Sequence, residues 1–265
     1  MDFRNAKELL ELCRQTDLSI SEVMRQREIE QGETTGEEAD CRMAKAYEIM
    51  QQSARTPVNT GRSMGGLIGG EAKRLSEHQK SGKSMCGSLL GNAMMYAMAV
   101  LETNSSMGLI VAAPTAGSAG IVPGLMIAMQ EEYGFTDEQM IQALYNAGAI
   151  GYLAMRNATV AGAVGGCQAE VGVASAMAAS AAAELLGASP KSCLDAASTV
   201  LMNMLGLVCD PVGGLVEYPC QNRNAAGVAN ALIAAEMSLS GIVQRIPLDE
   251  MIDVMYSVGK RLPVE

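Results

Sequence analysis

Residues 174–186 read Ala-Ser-Ala-Met-Ala-Ala-Ser-Ala-Ala-Ala-Glu-Leu-Leu. Alanine is the strongest helix former, and the run has neither a β-branched residue nor a glycine or proline to interrupt it. It predicts a helix over about 168–187 that is apolar nearly all round and therefore buried. The same character recurs on both sides. Toward the C-terminus, helices are predicted over about 190–206, 224–243 and 248–260, with Ser189 and Pro190 supplying an N-cap and a first-turn proline. Toward the N-terminus they are predicted over about 137–155, 121–133 and 88–101, with Thr136 and Gln139 spaced as a capping box. Gly/Pro/Ser/Thr loops separate them and strand-like alternation is scarce, so the fold class is all-α.

The first quarter is more polar. Leu9, Leu10 and Leu12 stand among charges in a helix over about 4–14. Ser19 and Glu22 form a second capping box for a helix through about 30, which Gly32 stops, and a third helix runs over about 36–53. Pro57 marks a break. Residues 59–70 form a glycine-rich loop opening a helix that includes Glu71 to Leu75, and 76–87 read as a polar loop. The chain is read as one domain, 1–265, with a polar helical lobe at 1–56 and a core at 57–265. No internal repeat of useful period is present.

Composition bounds the function. The chain has 265 residues, 49% of them hydrophobic, but only 3% aromatic, with no Trp and 20 Met. The core must be small aliphatic side chains with methionine filling gaps. The net charge of −10 leaves no basic surface for nucleic acid. Residues 103–130 carry no charge and exceed the ~20 residues a membrane span needs. Pro114, Pro123 and four glycines inside that stretch make it a loop followed by a buried helix instead. The N-terminus opens charged, without a signal pattern, and the seven cysteines are odd in number. The expectation is a cytoplasmic protein without disulfides.

Five places carry chemistry. Cys167, Cys209 and Cys220 lie in glycine-rich, uncharged sequence, 42 and 11 positions apart. No CxxC pair is present among these three, which excludes local zinc ribbons and ferredoxin-type runs. Three thiolates can hold an iron–sulfur cubane by three corners and leave one iron open as a Lewis acid for elimination or hydration of a small hydroxylated acid. From spacing alone, plain burial of free cysteine is an equal reading. Cys13, Cys41 and Cys193 lie in helical patterns and read as inert, whereas Cys86 sits in a Gly/Ser turn.

Thr115, Ala116, Gly117, Ser118 and Gly120 form a loop entering a helix, whose N–H groups and hydroxyls suit a carboxylate or phosphate. Ser63, Gly65 and Gly66 have the same character. Neither loop matches a nucleotide-binding fingerprint, and a tight packing turn is the competing reading. Asn222, Arg223 and Asn224 follow Cys220, where Arg can clamp a carboxylate and Asn can orient an amine or hydroxyl; a solvated helix start is the alternative. His78 is the single histidine. With Lys83 it is a candidate base, and a surface position is the alternative.

At these residues the sequence resembles the α subunit of the bacterial iron–sulfur-dependent L-serine dehydratases. The matching segments are 61–66, 113–124, 165–172 and 209–225. The most specific are Pro-Thr-Ala-Gly-Ser-Ala-Gly-Ile-Val-Pro-Gly at 114–124 and Cys-Asp-Pro-Val-Gly-Gly-Leu-Val-Glu-Tyr-Pro-Cys at 209–220. The resemblance implies an all-helical catalytic fold and a [4Fe–4S] cluster on Cys167, Cys209 and Cys220. It also implies conversion of L-serine to pyruvate and ammonia, and a separate β (regulatory) subunit that single-chain relatives fuse to the catalytic part. The base is then His78, Lys83 or a β-subunit residue. Relatives carry a further C-terminal tail, in some with a cysteine that reaches the open iron; here no cysteine follows Cys220. Cysteine desulfidation by the same elimination, or a non-catalytic cluster scaffold or electron-transfer subunit, are the alternatives.

Overall fold

The computed structural model describes residues 1–55 and 63–263; Pro57 and residues 59–62 of the 59–70 loop lie outside the described residues. Among the described residues every regular element is helical, as expected. The centre is α9 (Val173–Leu185), whose residues from Val173 to Ala183 are all buried. Around it pack α6 (Ile121–Tyr133), α7 (Asp137–Asn157), α10 (Pro190–Asn203) and α11 (Cys220–Leu239). An alanine wall lets these neighbours approach closely. At Gly120, just before α6, a Cβ would lie 2.2 Å from the carbonyl oxygen of Ala97 in α5 (Gly87–Ser105), so only glycine permits this contact.

Of the first three helices, α2 (Ile20–Gln31) lies on α7 and α3 (Gly36–Arg55) on α5, α7 and α6, while α1 (Ala6–Thr16) packs against α2, α10 and the last helix, Leu248–Gly259. Both predicted capping boxes form, with Ser19 accepting from the Glu22 N–H and Thr136 from the Gln139 N–H. Ser189 caps α10 with Pro190 in its first turn. Glu184 reaches from α9 to the start of α2, accepting from the N–H of Ile20 at 3.1 Å and from the Asn146 side chain at 2.7 Å. Leu9, Ile20, Val23 and Met50 belong to the same buried cluster as α9.

Three boundaries differ from expectation. The segment 76–87 was expected as loop, but α4 (Glu71–Lys80) continues through its first half. That half lacks apolar periodicity, and its one local signal is the i,i+4 pair of Lys73 and Glu77. The helix expected over 168–187 begins as a π-helical turn, Gln168–Gly172, before α9. The helix expected from 224 starts four residues earlier and ends at Leu239, ahead of Gly241 in the left-handed region at φ 82°. The uncharged stretch 103–130 divides into the end of α5, a loop, a single turn at Ala116–Ser118 and most of α6. Among the described residues no helix is long and apolar enough to cross a membrane.

Candidate functional site

The C-terminal cysteine segments converge beside the start of α9. Cys167 precedes the π turn, which sets Cys167 and Glu170 on one side of it. Gln168 stitches this turn to the strand of chain leading to Cys209. Its N–H donates to Leu207 O at 3.1 Å, its side-chain amide accepts from Gly206 N–H at 2.8 Å, and its other end donates to Gly165 and Met255 carbonyls. The donor atoms of Cys167, Glu170 and Cys209 all lie within 4.8 Å of one another. Cys220, in the first turn of α11, is outside that tight group but close enough for Cys209 and Glu170 to act on its charge.

Burial dominates the acidity of these thiols. It pushes Cys167 up to about 12; the Arg223 charge opposes, and Cys209 and Glu170 add to the rise. It pushes Cys220 up to about 11, with Glu170 and Cys209 adding to the rise. Cys13 and Cys193 are buried in the core, Cys13 pushed up to about 12 by burial and Cys193 also well up. Cys41 and Cys86 are exposed.

The loop at 115–120 faces this group. Thr115 donates its hydroxyl to Glu170 and lies 3.2 Å from the Ser118 hydroxyl. Asn224, fully buried, fixes the loop to α11. Its Oδ1 accepts from Gly120 N–H at 3.0 Å, and its amide donates to Gly117 O at 2.7 Å and Cys220 O at 2.8 Å. Ala116, Gly117 and Ser118 form the intervening turn.

Arg223 was expected to clamp a carboxylate of the substrate. The structure places its guanidinium on the protein itself: 3.1 Å from Cys167 Sγ, 2.9 Å from Val208 O and 2.6 Å from Asp210 Oδ1. Asn222 is exposed. The Ser63–Gly66 loop does hold a carboxylate, but one from the chain. Glu217 accepts from Ser63 Oγ at 2.7 Å, Gly65 N–H at 2.6 Å and Leu67 N–H at 3.0 Å. Burial alone would raise Glu217, and these three donors outweigh it, holding the carboxyl below its usual range. Gly66 completes the turn at φ 72°. His78 and Lys83 are exposed, on α4 and in the turn after it.

Glu170 is the residue that sequence reasoning passed over. It stands inside the matching segment 165–172, three positions from Cys167, and that spacing on a helical turn is the signal that would have found it.

A family model for the serine dehydratase alpha chain matches residues 15–265. The chain is 48% identical over 261 residues to a Bacillus subtilis (strain 168) protein named "Probable L-serine dehydratase, alpha chain", a match covering 98% of this chain and 87% of that one. It is 42% identical over 258 residues to the "L-serine dehydratase, alpha chain" of Peptoniphilus asaccharolyticus, covering 97% and 88%. A longer "L-serine dehydratase" of Helicobacter pylori (strain ATCC 700392 / 26695) is 37% identical over 269 residues, of which this chain spans 58% of the length. With near full-length matches of this kind, the chain belongs to the serine dehydratase alpha chain family.

Proposed function

We propose that this chain is the catalytic subunit of an L-serine dehydratase, a lyase that converts L-serine to pyruvate and ammonia with a [4Fe–4S] cluster on Cys167, Cys209 and Cys220. The observation that carries the reading is the meeting of these cysteine segments with the Asn224-anchored 115–120 loop, in a chain whose alpha-chain relatives bear the serine dehydratase name.

The donor set fits such a group. Soft sulfur ligands from three loop or helix-end positions suit iron–sulfur chemistry. Gly162 keeps the wall open there: a Cβ on it would lie 3.2 Å from Cys209 Sγ and 2.6 Å from Glu170 Oε2. When bound, the cluster supplies a Lewis acid for departure of the serine hydroxyl. The chain's residues do the rest. Gln168 and Arg223 hold the Cys167 and Cys209 segments in register. Asn224 holds the 115–120 loop, whose Ala116 stays exposed at the start of its turn, where a backbone N–H would meet a carboxylate. Loss of the α-proton and the hydroxyl gives aminoacrylate, which tautomerises and takes up water to release ammonia and pyruvate. Both His78 and Lys83 stand exposed, and a base from a second subunit is the stronger choice.

The relatives' designation as alpha chains supports a β partner. A rim beside the site suits one: Met64, Leu67, Met107, Leu109 and Tyr218 are exposed on loops tied together by Met64 N–H to Ser105 O and by Glu217. The test is anaerobic preparation of the chain with its β partner, measuring iron, sulfide and pyruvate formed from L-serine. Cluster-loaded protein that forms pyruvate supports the reading; loaded protein that leaves serine unchanged sinks it.

A further inference from the structure

The Glu170 carboxylate occupies the point where the cysteine segments meet the 115–120 loop, and two glycines from separate loops are shaped around it. A Cβ on Gly117 would lie 2.6 Å from its Oε1, and a Cβ on Gly162 would lie 2.6 Å from its Oε2. One oxygen accepts the Thr115 hydroxyl, and the carboxylate shares the 4.8 Å group with the sulfurs of Cys167 and Cys209. The turn that presents it is π-helical, a local widening of a helix that recurs at functional sites.

The charges around it do not balance. Two carboxylates, those of Glu170 and Asp210, gather here beside the cysteine sulfurs, and the cation that reaches this cluster among the described contacts is Arg223. Its guanidinium is already divided between Asp210, Cys167 and the Val208 carbonyl. Glu170 is left with a neutral hydroxyl donor in a half-buried, sulfur-lined cleft, where an uncompensated anion is costly. An amino acid brings the missing cation.

We propose that Glu170 receives the α-ammonium group of the substrate, so that the site selects amino acids over hydroxy acids of the same skeleton. This rests on the dehydratase reading. It assigns Glu170 as a substrate-binding residue and leaves the cysteines as the cluster ligands. L-Glycerate, which has a hydroxyl where L-serine has its α-ammonium, is the control ligand: it keeps the carboxylate and the terminal hydroxyl but lacks the cation. Glu170→Gln is the matching change in the protein, because its amide oxygen still accepts from Thr115 while the negative charge is gone.

The experiment compares wild type and Glu170→Gln, both reconstituted anaerobically and both first assayed for iron and sulfide. Each is then titrated with L-serine and, separately, with L-glycerate, reading the visible absorption and paramagnetic signal of the cluster. Iron content should be equal. The apparent Kd for L-serine should rise about 10- to 100-fold in the variant, as for loss of a charge-assisted contact. The Kd for L-glycerate should change by less than about two-fold, since it lacks the group that Glu170 receives. Unchanged serine affinity, or equal weakening of both ligands, overturns the assignment. A Gln variant that loads no cluster overturns it too, unless Glu170→Asp, which keeps the charge, loads normally and still prefers serine. A wild-type protein whose loaded cluster ignores L-serine overturns the dehydratase reading instead, and this proposal with it.

Discussion

One nitrogen of Arg223 lies 3.1 Å from the sulfur of Cys167 while another lies 2.6 Å from a carboxylate oxygen of Asp210. A single fork thus spans the Cys167 turn and the segment that carries Cys209. Arg223→Ala is expected to lower iron bound per chain, and to shorten its retention, before serine affinity changes at constant loading. Arg223→Lys should recover only part of this, because one ammonium does not reproduce a planar fork. Metal analysis after anaerobic reconstitution decides it; full iron content in the Ala variant would free Arg223 from this duty.

The seven cysteines should divide sharply. Cys167→Ala, Cys209→Ala and Cys220→Ala are each expected to abolish cluster loading. Cys193→Ala removes a fully buried sulfur from the core, at a cost on the order of 1 kcal/mol, and should leave iron content unchanged. Normal iron in any of the first three variants removes that residue from the ligand set.

Asn224→Ala strands three partners at once: the Gly120 N–H and the carbonyls of Gly117 and Cys220. Buried groups left without partners cost roughly 1–3 kcal/mol each, so a loss of about 3 kcal/mol or more in urea unfolding is expected. A loss below about 1 kcal/mol would mean that the loop finds other partners.

Two glycines make a paired test of packing. Gly120→Ala drives a methyl against the Ala97 carbonyl, 2.2 Å away, and should lower stability by about 1–3 kcal/mol or more. Gly148→Ala, within α7, meets nothing inside 4 Å and should raise stability by roughly 0.5–1 kcal/mol. Thermal unfolding of both variants measures the difference.

Much of this was legible in local sequence. The boxes at Ser19 with Glu22 and Thr136 with Gln139, and the Ser189–Pro190 start, work within one helical turn and announced their helices correctly. The alanine run fixed the buried centre. What escaped reading depends on partners far along the chain. The Ser63–Gly66 loop looked like a site for a free carboxylate because Glu217, which fills it, lies about 150 positions away. Arg223 looked uncommitted because nothing local shows that Cys167 and Asp210 converge on it. The second half of α4 was hidden by its lack of apolar spacing, leaving only the i,i+4 pair of Lys73 and Glu77 to announce it.

Burial holds the Glu184 carboxyl above its ordinary range, against donors from Ser21, Asn146 and Ile20. Its folded form therefore keeps a proton that the unfolded chain has released. Between the ordinary carboxyl value of about 4.3 and the folded value, stability from this group falls as pH rises, by at most about 1.4 kcal/mol per pH unit. Comparing wild type with Glu184→Gln by urea unfolding from weakly acidic to neutral pH isolates it. The balance should move toward the variant as pH rises and then level off; a pH-independent difference would refute the assignment.

Glu184 and the Cys167–Glu170 turn sit at opposite ends of one helical shaft, since the π turn and α9 run on continuously for roughly 25 Å. The far end of that shaft is seated by the backbone of α2. Trimming the chain to begin beyond α2 would not yield a smaller working catalyst. It would leave an acid facing solvent beside bare alanine surface, and the rod that aims the cysteines would lose its footing.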